Sequence, residues 1–323
     1  MAGALRGQLE QAVRTGLRTY VDDIRKWARG TAEEVADTLA ASIGRLKTRL
    51  EADGMKLQLT KCVAVATGRR HRTALVRRLG DQGIKVVDHA KDLGADSAPS
   101  SRRVHVQRGR RVKATARLKR TGRLPDKPGV RAHRARAYAL SVATYAVEVQ
   151  GMGVTAQVKL RAAVAAAIRP AAPARGCPMT LLALKGTRAD PVVEVPSQVI
   201  GHWARRAWTG ALPAGLGAWW ETHGATRADR ATDMARVRGP IGALVQHSLQ
   251  VGWRVLSPWA VQDERGGTID LREEAPQSVE ARAREAARDA AWRQSISTRQ
   301  DAVGLEQGGV PLRGQAGSSC HSQ

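Results

Sequence analysis

The chain has 323 residues, a formal net charge of +24 and an isoelectric point near 11.3. That length allows two domains and a sizeable core, and so large a cationic excess favours a polyanionic partner, either nucleic acid or an anionic membrane face. No apolar run is long enough to span a bilayer and residues 1–11 lack the apolar stretch of a secretory signal, so an intracellular protein is expected.

In chain order, Leu17-Arg18-Thr19-Tyr20 and Ile24-Arg25-Lys26-Trp27 suit short strands, with Asp22-Asp23 as turn residues between them. Residues 12–30 therefore read as a hairpin with two carboxylates at its tip. Adjacent carboxylates repel and keep both charges only beside a cation, for which magnesium is the natural candidate; the alternative is a solvated turn. Thr31-Ala32-Glu33-Glu34 is a capping box, and Val35, Leu39, Ile43, Leu46 and Leu50 recur at helical spacing up to Gly54. Met55, Leu57 and Leu59 alternate with Lys56, Gln58 and Thr60, and residues 61–65 continue as a second strand, so 54–67 is expected to close a small antiparallel sheet on the helix. Helical spacing resumes over 70–79, residues 83–87 form a strand leading to Leu93-Gly94, and 95–101 is a small polar loop.

Residues 102–136 hold fourteen Lys or Arg against one acid, Asp126. Val104, Val112, Thr115, Ala116 and Leu118 are interleaved, which predicts helical turns with one apolar side, broken at Leu124-Pro125. Arg102, Arg103, Arg108, Arg110, Arg111, Lys113, Arg117, Lys119 and Arg120 are the candidate phosphate contacts, and charge density of this kind gives salt-sensitive, sequence-independent binding. A helix over 133–150 follows, in which Tyr138, Val142, Tyr145 and Val149 share a face; Tyr138 and Tyr145 are expected in the core, the alternative being residues on which bases stack. Another helix over 157–168 ends at Pro170. Five prolines between 170 and 196 predict a linker and the main domain boundary. Beyond it, Ile200, Trp203, Ala204, Ala207 and Trp208 form one helical stripe and Ile241, Leu244, Val245 and Leu249 another, opened by Gly239-Pro240. Residues 251–256 and 267–271 read as a hairpin around 263–266, Ser278 caps an Ala-rich helix to about residue 297, and 304–323 is Gly- and Ser-rich and expected disordered. Cys62, Cys177 and Cys320 are odd in number and far apart, which implies neither a disulfide framework nor a zinc motif. Phenylalanine is absent, leaving Trp to supply the aromatic anchors.

Tyr20-Val21-Asp22-Asp23, the helix after it, the segment Gly54-Met55-Lys56-Leu57-Gln58-Leu59-Thr60-Lys61-Cys62 and the pair Leu93-Gly94 resemble, in that order, the end of the palm of a reverse transcriptase of the non-LTR retrotransposon type. The resemblance covers roughly residues 12–170 and departs from the family pattern at Gln58, where Asn is usual, at Cys62, where Thr is usual, and at Asp92, where an apolar residue is common. From it and the pattern beyond it, the chain is expected to have an α+β, mostly helical fold: a small antiparallel sheet in a partial palm (1–95), a basic helical thumb (96–170), a helical C-terminal extension (171–300) and a disordered tail (301–323). The resemblance also implies nucleotidyl transfer with two Mg2+ or Mn2+ ions in the intact family. Asp22 and Asp23 would bind metal, Lys61 would lie near the incoming triphosphate as charge stabiliser or proton donor, and the arginine-rich run would hold an RNA or DNA template-primer. Only nineteen residues precede Tyr20, too few for fingers and the third palm carboxylate, so the chain by itself is expected to be inactive. Two other readings stay open: a non-enzymatic basic protein that binds nucleic acid, and a retroelement relic without selected function.

Overall fold

The computed structural model describes residues 15–20, 23–92, 95–97, 105–169, 181–182, 188–230 and 239–307. The fold is α+β and mostly helical, in two compact units, residues 1–104 and 105–323.

In the first unit β1 (Thr15–Tyr20) and β2 (Asp23–Ala28) form an antiparallel hairpin whose closing pair is Tyr20 with Asp23. Helix α1 (Ala32–Ala52) follows at once, because Thr31 and Glu34 complete the capping box and satisfy two backbone donors at its start. It stops at Asp53 and Gly54, and Gly54 takes the left-handed conformation, φ 74°, that a side chain would resist. Lys26 of β2 donates to Ser42 O of α1 at 3.0 Å, tying hairpin to helix, and burial pushes the Lys26 ammonium pKa down, with Arg45 adding to the effect.

A 3-10 turn, Leu59–Lys61, leads into β3 (Val63–Val65), α2 (Arg69–Leu79) and β4 (Lys85–Val87), and β3 pairs with β4 in parallel. This corrects the expected antiparallel closure. Residues 55–60 do alternate, with Met55, Leu57 and Leu59 half-buried and Lys56, Gln58 and Thr60 exposed, but 55–58 has no partner strand. The three-residue strand β3 finds its neighbour across the helix instead. Ala36 of α1 joins Ala74, Leu75, Leu79 and Ile84 in a small core, with Leu39 and Ile43 packed on its edge. Arg77 with Glu33 and Arg78 with Asp37 lace α1 to α2. Strands β5 (Ala90–Asp92) and β6 (Ala95–Ser97) make a second hairpin closed by Asp92 and Ala95, so the expected polar loop begins as a strand; Leu93 and Gly94 lie outside the described residues.

The second unit opens with α3 (His105–Gly122), followed by α4 (Pro128–Arg134), a π-helical segment (Ala135–Leu140) and a last turn (Ser141–Ala143). The helix expected over 133–150 thus starts earlier, widens in its middle and breaks at 144–146, where Ala146 has φ 64°, before α5 (Val147–Gln150). Helix α6 (Val154–Ile168) packs on α3 so closely that a Cβ on Gly122 would lie 3.3 Å from Ala167 Cα. An alanine-rich core forms among them from Ala114, Leu118, Ala135, Ala139, Ala143, Leu160 and Val164.

Val195, Val199 and Ala243 belong to that same core. The segments expected as separate domains, 96–170 and 171–300, therefore share one interior, and the units part between Val104 and His105 instead of within 170–196. Helix α7 (Pro191–Trp208) begins with Asp190 as its cap and contains Pro196, which the linker reading had placed outside any helix. Arg161 of α6 donates to Asp190 in a buried ion pair, Nε to Oδ2 at 3.1 Å, and Asp190 Oδ1 accepts from Val192 N at 3.0 Å. Burial pushes the Asp190 carboxyl pKa up, against the pull of Arg161.

Helices α8 (Leu216–Arg230) and α9 (Gly239–Gln250) lead to a three-stranded antiparallel sheet, β7 (Arg254–Ser257), β8 (Ala260–Gln262) and β9 (Thr268–Asp270), in that order. The expected two-strand pairing is corrected here, since β8 lies between the two predicted strands. Helix α10 (Pro276–Gln307) starts two residues before Ser278 and continues through 301–307, where disorder had been expected. It packs along α7, with Arg284 bridging Glu194 and Glu280. Trp203 and Trp253 fill the core between these elements, and each indole N–H is satisfied, by Pro258 O at 2.8 Å and Glu264 Oε2 at 2.6 Å.

Candidate nucleic-acid interface

Helix α3 turns Gln107, Ala114, Leu118 and Thr121 inward. The remaining residues, at 3.6 per turn, are left to a broad outer face that carries seven Lys or Arg and no acid, with Val112 and Ala116 exposed among them. Arg108, Lys113, Arg117, Lys119 and Arg120 are exposed on it, and Arg110 and Arg111 are half-buried at its margins. The sequence forms a helix here despite Gly109 because Arg, Lys, Ala and Leu are good helix formers, and Leu118 and Ala114 supply the anchor.

On one side the face dips into a groove of about 620 Å³ against α6, lined by Arg108, Arg111, Thr115, Lys119, Thr155 and Lys159 among others, with no acid among the lining residues. Burial lowers the Arg111 pKa and the neighbouring Arg108 adds to it, the signature of cations crowded without a counter-charge. On the other side Arg110 and Arg117 reach the 135–146 stretch. Arg117 donates to Tyr138 O at 2.6 Å, and Arg110 donates to Tyr145 O at 3.2 Å while its guanidinium lies 4.3 Å from the Tyr145 ring centre. Tyr138 and Tyr145 are 63% and 53% exposed, which overturns the expectation that they lie in the core. The π-helical segment shifts the phase of the helix, and Ala135, Ala139, Leu140 and Ala143 face inward in their place.

Of the nine predicted phosphate contacts, the seven from Arg108 to Arg120 are brought together on α3, while Arg102 and Arg103 lie outside the described residues. Lys159 and Thr155 were missed as lining residues, and the two tyrosines were assigned to the core in preference to base stacking. The signal for the first two was the absence of any Asp or Glu from 149–169. In the first unit Asp22 lies outside the described residues, Asp23 is the first residue of β2, and Lys61 ends the 3-10 turn with its side chain exposed. Among the described residues no three His, Cys, Asp or Glu side chains are grouped to hold a metal ion. Among the described residues no helix is long and apolar enough to cross a membrane. No protein-family model, no curated protein and no solved structure matches the chain.

Proposed function

We propose that the chain binds nucleic acid through the cationic face of α3 and its groove with α6. The observation that carries this is an acid-free face on which Arg108, Lys113, Lys119 and Arg120 project into solvent beside Lys159 of the neighbouring helix. Among the described residues of 102–136, Asp126 is occupied by Arg134, at 3.0 Å, and neutralises none of them. Six phosphate contacts on duplex nucleic acid should give a slope of log affinity against log salt of about −5, from counterion release. Replacing Arg108, Lys113, Lys119 and Arg120 with Ala should flatten that slope by about three units and leave circular dichroism unchanged. An unchanged slope and affinity in that variant would mean a solvated face and no ligand.

A narrower reading, that the chain is the palm end and thumb of a reverse transcriptase, is supported by the order of elements. An acidic hairpin, a helix, the Lys61 segment, a second hairpin around Leu93-Gly94 and a basic helix succeed one another as in that family. The coding sequence upstream of Met1 tests it. Fingers and a third carboxylate encoded there support the polymerase reading, and their absence favours the non-enzymatic one.

A further inference from the structure

The face beside α3 carries more than charge. Tyr138 and Tyr145 are large rings held in solvent next to cations, more exposed than Trp27, Trp208 and Trp292 and unlike Trp203 and Trp253, which anchor the core. Each sits at an irregularity. Tyr138 lies in the π-helical segment, a form found mostly as short interruptions at functional sites. Tyr145 immediately precedes Ala146, whose positive φ is strained for a residue with a Cβ. Each backbone carbonyl is caught by an arginine of α3, so the two tyrosines are fixed to the basic helix as well as to their own.

We infer that this side of the interface takes a single-stranded stretch of nucleic acid, its bases stacked on Tyr138 and Tyr145 and its phosphates on the adjoining cations of α3. The inference rests on the nucleic-acid reading above and adds the form of the ligand. A duplex already stacks its bases on one another and offers the rings nothing, whereas every unpaired base presents a π-face. The spacing agrees. Arg110 and Arg117, which hold the two tyrosine carbonyls, are seven residues apart on one helix, about 10 Å along it at 1.5 Å per residue. That is about three nucleotide steps at the 3.4 Å spacing of one strand. Arg117, Lys113 and Arg110 run along the same interval, so backbone and bases are met together.

The test compares three probes by fluorescence anisotropy: a short oligothymidylate, an oligonucleotide of the same length and charge made wholly of abasic sites, and a duplex. The full chain should prefer oligothymidylate to the abasic strand by about tenfold or more. Tyr138→Ala with Tyr145→Ala should bind those two alike and keep its duplex affinity and salt slope. Tyr138→Phe with Tyr145→Phe should retain the preference, which separates stacking from any role of the hydroxyls. Equal binding of oligothymidylate and abasic strand by the unaltered chain would overturn stacking while leaving the nucleic-acid reading in place. A preference that survives the double alanine variant would do the same. Binding to none of the three probes would overturn both.

Discussion

The imidazole of His247 is fully buried in α9, and its hydrogen bonds close a ring. Met152 N donates to Nε2 at 3.1 Å, so Nδ1 carries the proton and donates to Gln250 Oε1 at 3.0 Å. Gln250 Nε2 donates to Gln157 Oε1 at 2.8 Å, and Gln157 Nε2 returns to Met152 O at 2.6 Å. Every partner is neutral, so the network pins α6 to α9 without a buried charge, and protonation of the ring would cost it the bond from Met152. Burial lowers the His247 pKa from 6.5 to about 4, with Gln250 opposing. A histidine whose folded pKa lies below its unfolded value lets the unfolded chain take up the proton first. Its neutral form therefore contributes fully above about pH 6.5, and the contribution is lost as pH falls toward 4. Denaturant unfolding should show a loss approaching about 3 kcal/mol across that window. His247→Gln should be flatter over the same range, and equal slopes in the two proteins would assign the acid sensitivity elsewhere.

The helices differ in how tightly they meet, and two glycines report it. A Cβ on Gly201 of α7 would fall 2.7 Å from Cβ and Cγ of Glu280 on α10, whereas a Cβ on Gly44 of α1 meets nothing within 4 Å. Alanine is favoured over glycine in a helix by about 1 kcal/mol, while overpacking costs about 1–3 kcal/mol. Gly44→Ala should therefore stabilise by up to about 1 kcal/mol and Gly201→Ala should destabilise by about 1–2 kcal/mol, measured by chemical denaturation; gains at both sites would mean that α7 and α10 are not in such contact. The same contrast explains what could be read in advance. Helix α1 was legible from Thr31 to Gly54 because its cap, stripe and stop are all local, and so were the Tyr20 to Asp23 hairpin and the start of α9 at Gly239 and Pro240. The parallel pairing of β3 with β4 was not, because alternation over 55–60 reports an extended chain and one buried face but not a partner strand. Tyr138 and Tyr145 were misread because spacing at 3.6 residues per turn fails across a π-helical segment, and because alanines, individually weak hydrophobic signals, made the core beneath it.

At the scale of the whole molecule the charge is concentrated where the proposed interface lies. Residues 105–169 carry fifteen Lys and Arg against Asp126 and Glu148, a net +13 of the chain's +24, while the 154 residues after them add only +3. Binding driven by that region is electrostatic and calls on no metal ion, since phosphate neutralisation by Lys and Arg releases monovalent counterions. The carboxylates Asp22 and Asp23 lie in the other unit and add repulsion, not affinity, toward a polyanion. Chelation with EDTA, and separately Asp22→Asn with Asp23→Asn, should each leave the affinity of the 323-residue chain for nucleic acid and its salt slope unchanged at fixed ionic strength. If these 323 residues are the palm end and thumb proposed above, the same chain supplied with template, primer, nucleotides and Mg2+ or Mn2+ should extend nothing. A fall in affinity on chelation would shift the interface toward the acidic hairpin, and templated extension would overturn the expectation of inactivity.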